Sequence, residues 1–285
     1  MRPDAVAQAQ HQALQAAQAA GVVVESLHTP EQMQRAAEVL AEIWAPGGRG
    51  EAPVEAGLLV ALEHAGNYVA GAYAGKDLIG ATVGFFGAPD ARTGRMHMMH
   101  SHIAGVLPSR ARSGVGVAMK LHQRGWCLER GVTVMEWTFD PLIVRNARFN
   151  LHKLGAGLSE YLPQFYGEMR DGINAGQGSD RALIQWNLLA PEPAPELTPQ
   201  LMLLEPDDDA APRLTAGEDA VASAAAAGLV GLRVPSDMMQ LRTERPALAA
   251  RWRTALRETM APLMRAGWVV ASVRADGTYV LSRAE

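Results

Sequence analysis

The chain reads MMHSHIAGVLPSRARSGVGVAMK from Met98 to Lys120, and this stretch holds the residues best suited to chemistry. An apolar run carrying His100 and His102 stops at Pro108. Arg110 and Arg112 follow, then Ser113, Gly114, Val115, Gly116 and Val117 open a run with helical spacing. A helix start presents unpaired amides, and glycines let a ligand approach them, so such a turn suits an anion such as a pyrophosphate. The arginines would neutralise its charge, and Ser113 is the expected N-cap. Two phosphate-binding schemes are excluded. Met119 stands where a dinucleotide fingerprint has its third glycine, and Lys120 is followed by Leu121 rather than by a hydroxyl residue after a Gly-Lys pair.

An imidazole is the natural base near neutral pH, and His102 lies just before the turn. Strand alternation places it on the same face as His100; the alternative is a structural histidine bonded to a carbonyl. Other candidates lie downstream. Glu136 sits mid-strand. Asp140 ends that strand before Pro141, where it would contact substrate or cap the next helix. Asn146 and Asn150, four apart, share a helical face. Tyr166 would donate a proton or sit in the core. Arg181 would grip an acceptor carboxylate or pair with Asp180 at the surface, near Asn174. His152 reads as surface and Cys127, the single cysteine, as packing.

These residues need a frame. Val22–Leu27 reads as a strand, and Thr29-Pro30-Glu31-Gln32 as a capping box opening a helix to about Trp44, stopped at Ala45-Pro46-Gly47-Gly48. A helix around Val54–His64 follows, then a hairpin of Asn67–Ala74 and Leu78–Phe86. Met96–Leu107 is a strand, Gly114–Arg130 a helix, Val132–Phe139 a strand, Leu142–Leu154 a helix and Arg181–Leu189 a strand. This order implies an α/β fold with a mixed sheet. Residues 1–20, rich in Ala and Gln, predict a solvated helical extension, 21–190 a core, 191–200 a proline-rich connector and 201–285 a small α/β subdomain. The last contains strands near 201–204 and 229–234, a helix over 246–264 and a terminal hairpin.

The formal charge of −4 gives no electrostatic case for nucleic acid or an anionic membrane. One cysteine excludes an intrachain disulfide and a cysteine-rich zinc site; no metal is expected. Asp207-Asp208-Asp209 reads as a solvated loop. No run approaches the roughly 20 apolar residues of a membrane span. A cytoplasmic protein is expected.

The strand, the turn ARSGVGVAMK, the strand VTVMEWTFDP and a helix ending in KLGA together resemble the GNAT superfamily of acyl-CoA N-acyltransferases, over about Val22–Leu189. The segments SHIAGVLP, WTFDPL, RNARFNLHKLGA, FYGEM and SDR resemble an uncharacterised branch of it. The resemblance implies a sheet splayed between the strands at about Met96 and Val132, with coenzyme A in the opening. The amides of Arg112–Val117 would hold its pyrophosphate, strand amides near Gly105 and Val106 its pantetheine and thioester oxygen, and Asn146 its far side. Two positions depart from the family. Ala111 stands where it usually has Gln or Arg, and Leu151 where a tyrosine often protonates the leaving thiolate. The implied activity is direct transfer of an acetyl or succinyl group from acyl-CoA to the primary amine of a small metabolite such as an amino acid, with His102 as base and Tyr166 as acid, in a possible homodimer. The other reading is a CoA-binding sensor without catalysis.

Overall fold

The computed structural model describes residues 3–45, 52–89, 91, 94, 97–167, 178–215, 219–225 and 227–284. Pro46–Gly48, Met96, Glu168, Met169 and Asn174, which entered the sequence reading, lie outside them. The chain is a mixed α/β structure that divides into two compact units. One is built mainly from residues 1–137 and the other mainly from 138–285.

The first unit contains α1 (Pro3–Ala19), β1 (Val23–Ser26), α2 (Pro30–Trp44), α3 (Ala56–His64), β2 (Tyr68–Ala74), β3 (Asp77–Phe86), β4 (Met98–Val106) and α4 (Val115–Glu129). β5 (Val134–Phe139) begins in it. The strands lie in the order β1-β2-β3-β4-β5, antiparallel except for the parallel pair β4–β5. The capping box forms as the sequence predicts. Gln32 N–H donates to Thr29 Oγ1, and Thr29 N–H donates to Gln32 Oε1; such a cap contributes about 1 kcal/mol.

Helices cover both faces of this sheet. Met33, Ala36, Leu40 and Leu59 of α2 and α3 pack on Val69, Ala81 and Val83. Val115, Ala118 and Met119 of α4 pack on Ala72 and Ile79 from the other side. The α1 helix is not the solvated extension its composition suggests: Ala9, Ala13 and Ala17 are buried. A Cβ on Gly125 of α4 would stand 3.5 Å from Gln10 Cγ. Small residues on both helices allow this close approach, so α4 is enclosed between sheet and α1.

The second unit contains a short α5 (Val144–Arg148) continued by a π-turn over Phe149–Lys153, β6 (Gly157–Leu162), β7 (Arg181–Asn187), β8 (Leu201–Pro206), β9 (Pro212–Leu214) and α6 (Ala220–Ala224). It continues through β10 (Leu229–Arg233), α7 (Met238–Glu244), α8 (Pro246–Arg265), β11 (Trp268–Val273) and β12 (Thr278–Arg283). Its strands run β7-β6-β11-β12-β10-β8-β9. The division therefore falls after Trp137 and not at the expected connector. β6, which the sequence reading missed, pairs with β7 on one side and meets β11 on the other. That pairing joins β7 to the C-terminal strands.

Candidate functional site

β4 is the element on which the first unit's site is built. Its parallel ladder to β5 covers Met98–Val134, Met99–Met135 and His100–Glu136, and no later pair follows among the described residues. Residues 101–106 pair on the other edge with β3 alone. The β3–β4 register shifts between Val83 and Gly84, leaving His102 as an extra residue on β4. A bulge of this kind bends the strand and ends its pairing, and here it coincides with the end of the β4–β5 ladder.

Peptide direction along the open edge follows from one hydrogen bond. Leu107 N–H donates to Ile79 O across β3 at 2.9 Å. Alternation then turns the N–H groups of Val106 and Ala104 to the open side and that of Gly105 toward β3. The Val106 N–H is therefore on the open side, and that of Gly105 is turned away from it. Gly105 is glycine for packing: a Cβ there would lie 2.9 Å from Ile43 Cδ1 and 3.2 Å from Trp44 Nε1. Trp44 Nε1–H is itself buried without a hydrogen-bond partner among the described residues.

The turn after β4 contains a short 3₁₀ segment, Pro108–Arg110, and then Arg112 with φ 66°. A left-handed non-glycine residue is strained and is commonest where backbone is held for a purpose. Ser113 is not the N-cap. Its hydroxyl donates to Arg110 O at 2.6 Å, and Gly114, with φ 87°, takes the cap position with no side chain closing the helix. Among the described residues, the first amide of α4 with an acceptor is that of Ala118, bonded to Gly114 O at 3.1 Å. Among the described residues no acceptor meets the N–H groups of residues 112–117. A Cβ on Gly116 would meet nothing within 4 Å, so the helix is open at that position. Arg110 is half-buried and Arg112 exposed at its rim.

His100 and His102 stand on one face of β4 with ring centroids 6.1 Å apart, both against Phe85. Partial burial lowers both imidazoles from their ordinary value. For His100 the neighbouring His102 adds to this, and Glu136 opposes it. In both, burial favours the uncharged imidazole.

The sequence reading missed Lys120. It lies in α4, buried, and donates to Ser101 Oγ at 2.7 Å and to Gln123 Oε1 at 3.4 Å. Its ammonium stands 3.9 Å over the Trp137 ring, and burial brings it down to about 7. A lysine at a helical position reads as solvated. Only the enclosure of α4 by sheet and α1 shows otherwise.

The remaining candidates belong to the second unit. Asp140 is buried and fully engaged. It accepts from Arg242, from Arg253 at 2.8 Å and from Leu142 N–H at 3.0 Å. Burial raises its carboxyl, but Arg253 and Arg242 outweigh that and hold it below the usual range. It is thus an ion-pair centre that also closes the turn through Leu142, and not the expected cap of the next helix, since α5 begins at Val144 with Ile143 as its N-cap. Arg181 is buried as well, and its expected surface pair with Asp180 does not form. It donates to the Asp180 backbone oxygen at 2.9 Å and lies 3.9 Å from Asp140, while the Asp180 carboxylate is held by Arg257 at 2.7 Å and by the Tyr161 hydroxyl. Tyr166 is exposed rather than core, and its hydroxyl is 3.0 Å from Thr138 Oγ1. Asn150 is buried and Asn146 half-buried, and the π-turn beginning at Phe149 interrupts the regular helix that was to align them. His152 is not surface: its ring nitrogens face Ala194 O at 2.8 Å and Val273 O at 2.9 Å. Leu151 is buried, so the family's usual acid position offers no proton. Cys127 is packing, as expected, with burial pushing its thiol up to about 12.

Among the described residues no three metal-ligating side chains cluster, and no helix is long and apolar enough to cross a membrane. No protein-family model and no curated protein matches the chain. Solved structures similar to it include three described as acetyltransferases. One, of the GNAT family from Streptococcus pneumoniae, has a TM-score of 0.46 and 11% identity, covering 58% of this chain and 98% of that one. The Escherichia coli ribosomal-protein-S18-alanine N-acetyltransferase has a TM-score of 0.44 and 13% identity, covering 62% and 98%. A GNAT family acetyltransferase from Elizabethkingia anophelis with acetyl-CoA bound has a TM-score of 0.41 and 10% identity, covering 59% and 98%.

Proposed function

We propose that the chain is a GNAT-like N-acyltransferase, moving an acyl group from an acyl-CoA to the primary amine of a small metabolite. The observation that carries this reading is the end of the β4–β5 ladder at His100–Glu136, in a strand whose far end leads to a turn of bare amides. An opened strand edge offers peptide donors to an amide-bearing arm, and the turn beyond it offers donors to phosphates. The residues present fit an acyl-CoA. Gly116 leaves the helix open at its position, Arg110 and Arg112 supply positive charge, and Val106 and Ala104 turn their N–H groups to the open side.

The acyl-CoA supplies a thioester carbon that an amine can attack, with the thiol as leaving group. The amine must be neutral, and His102, held below the ordinary imidazole value, takes its proton. Open-edge amides of β4 stabilise the oxygen that gains charge. The departing sulfur takes up a proton that Leu151 cannot supply, and Tyr166→Phe tests the phenol the sequence offers for it. The products are an amide and free thiol, and the proton taken from nitrogen balances the one given to sulfur.

The test is thiol release from acetyl-CoA and succinyl-CoA with a panel of amines. Turnover that falls about 10²–10⁴-fold in His102→Ala supports the assignment. Binding of acyl-CoA with no turnover on any amine, and no effect of His102→Ala or Tyr166→Phe, would leave a CoA-binding sensor in its place.

A further inference from the structure

The buried lysine of the first unit has a position with a consequence for the acyl donor. The last β4–β5 pair is His100–Glu136, so Ser101 and Trp137 are the first residues past the point where the strands part. Lys120 touches both: Nζ is 2.7 Å from Ser101 Oγ and 3.9 Å over the Trp137 ring. The ammonium therefore sits under the fork, bridging the two strands at its narrow end.

Among the described residues, its hydrogen-bond partners are polar and uncharged. Gln123 Oε1 lies at 3.4 Å and Met135 Sδ at 4.0 Å; Ser101 and Gln123 also bond each other at 2.9 Å. Cys127, one turn further along α4, is held as a neutral thiol by burial. Glu136 alternates with buried Met135 and Trp137, which places it on the face of its register partner His100. No carboxylate forms an ion pair with Lys120 among the described residues. Lysine is almost never buried unless paired, and an unpaired ammonium in such a place is costly. The partner that would relieve the cost is an anion arriving with a ligand.

We infer that Lys120 receives the acyl end of the donor, and that this donor carries a carboxylate at the far end of a short acyl chain, as a dicarboxylic monothioester such as succinyl-CoA does. The inference rests on the acyl-CoA reading above. It makes Lys120 a specificity-determining residue that forms an ion pair and takes no part in bond making. Acetyl-CoA leaves the ammonium as it stands. A donor with a terminal carboxylate pairs with it and favours its charged form, so binding draws a proton from solution at a pH where the free protein holds the amine neutral.

Isothermal titration of CoA, acetyl-CoA and succinyl-CoA into the intact chain tests this, at pH 8 in two buffers of different ionisation enthalpy. Succinyl-CoA should bind at least about tenfold more tightly than acetyl-CoA, an ion-pair contribution to recognition, and only succinyl-CoA should take up a proton. Lys120→Met, which retains the aliphatic stem, should reduce the ratio to within about threefold and remove the proton uptake. Equal affinities for the two thioesters with no difference in proton uptake would overturn the inference while CoA binding itself stands. Failure of all three ligands to bind would instead remove the acyl-CoA reading on which it rests. The comparison in the unaltered protein keeps the test decisive if the variant does not fold.

Discussion

Replacing Lys120 with methionine should make the first unit more stable, and by an amount that depends on pH in a defined direction. Burial brings the amine from 10.5 to about 7 in the folded protein. Between those values the unfolded chain binds a proton that the folded chain does not. Wild-type stability then rises with pH at about 1.4 kcal/mol per unit from this group. Below the folded value both states are protonated, and the penalty is complete and constant. Above the unfolded value it is absent. From pH 7.5 to 8.5 the wild type should gain about 1.4 kcal/mol on Lys120→Met. Cys127 works in the opposite sense above its ordinary value, because its folded pKa is raised to about 12, but both proteins share it. Urea unfolding across pH 6 to 9 reads the difference, with Ser101 and Gln123 still bonded to each other in the variant. Parallel stability curves for the two proteins would refute the claim that this lysine is buried without a counter-charge.

Further expectations concern particular contacts. Gly116→Leu should leave the melting temperature of the free protein nearly unchanged, since a Cβ there meets nothing within 4 Å, yet abolish the thermal shift produced by CoA. Asp140→Asn should cost about 3–5 kcal/mol in denaturant unfolding, because Arg242 and Arg253 would be left buried without their carboxylate. For Asp140 and Asp180 burial raises the carboxyls, but arginines and other donors outweigh it, so both lie below the usual value. Their stabilisation is complete above the unfolded value near about 4 and is lost as pH falls through the lower folded values, which acid titration of unfolding would read. Ala9→Leu should destabilise by about 1–3 kcal/mol by overfilling the contact of α1 with the rest of its unit, again measured in urea.

The features legible in the sequence are those fixed by neighbours along the chain. The Thr29–Gln32 box, the hairpin of β2 and β3 and the strand–turn–helix at Gly114 are set by local residue types, and each forms where expected. Ser113 shows the limit of that logic. A serine before a helix satisfies the capping pattern, but a turn tightened by Arg112 in the left-handed region sends its hydroxyl back to Arg110 O instead. Residues whose role depends on distant partners were not legible. Asp140 and Asp180 read as site residues or surface charge until α7 and α8 bring Arg242, Arg253 and Arg257 to them. Alternation along β4 gave the shared face of His100 and His102, but which of Gly105 and Val106 turns its N–H to the open edge is set by the bond of Leu107 N–H to Ile79 O, which residue types do not mark.

Hydrogen–deuterium exchange with and without CoA tests the central claim most directly. Added CoA should slow exchange at the amides of residues 112–117 and at the open-edge amides of Ala104 and Val106, leaving Gly105 unchanged because its N–H is already turned toward β3. Protection confined to any other part of the chain, or none at saturating CoA, would contradict the account.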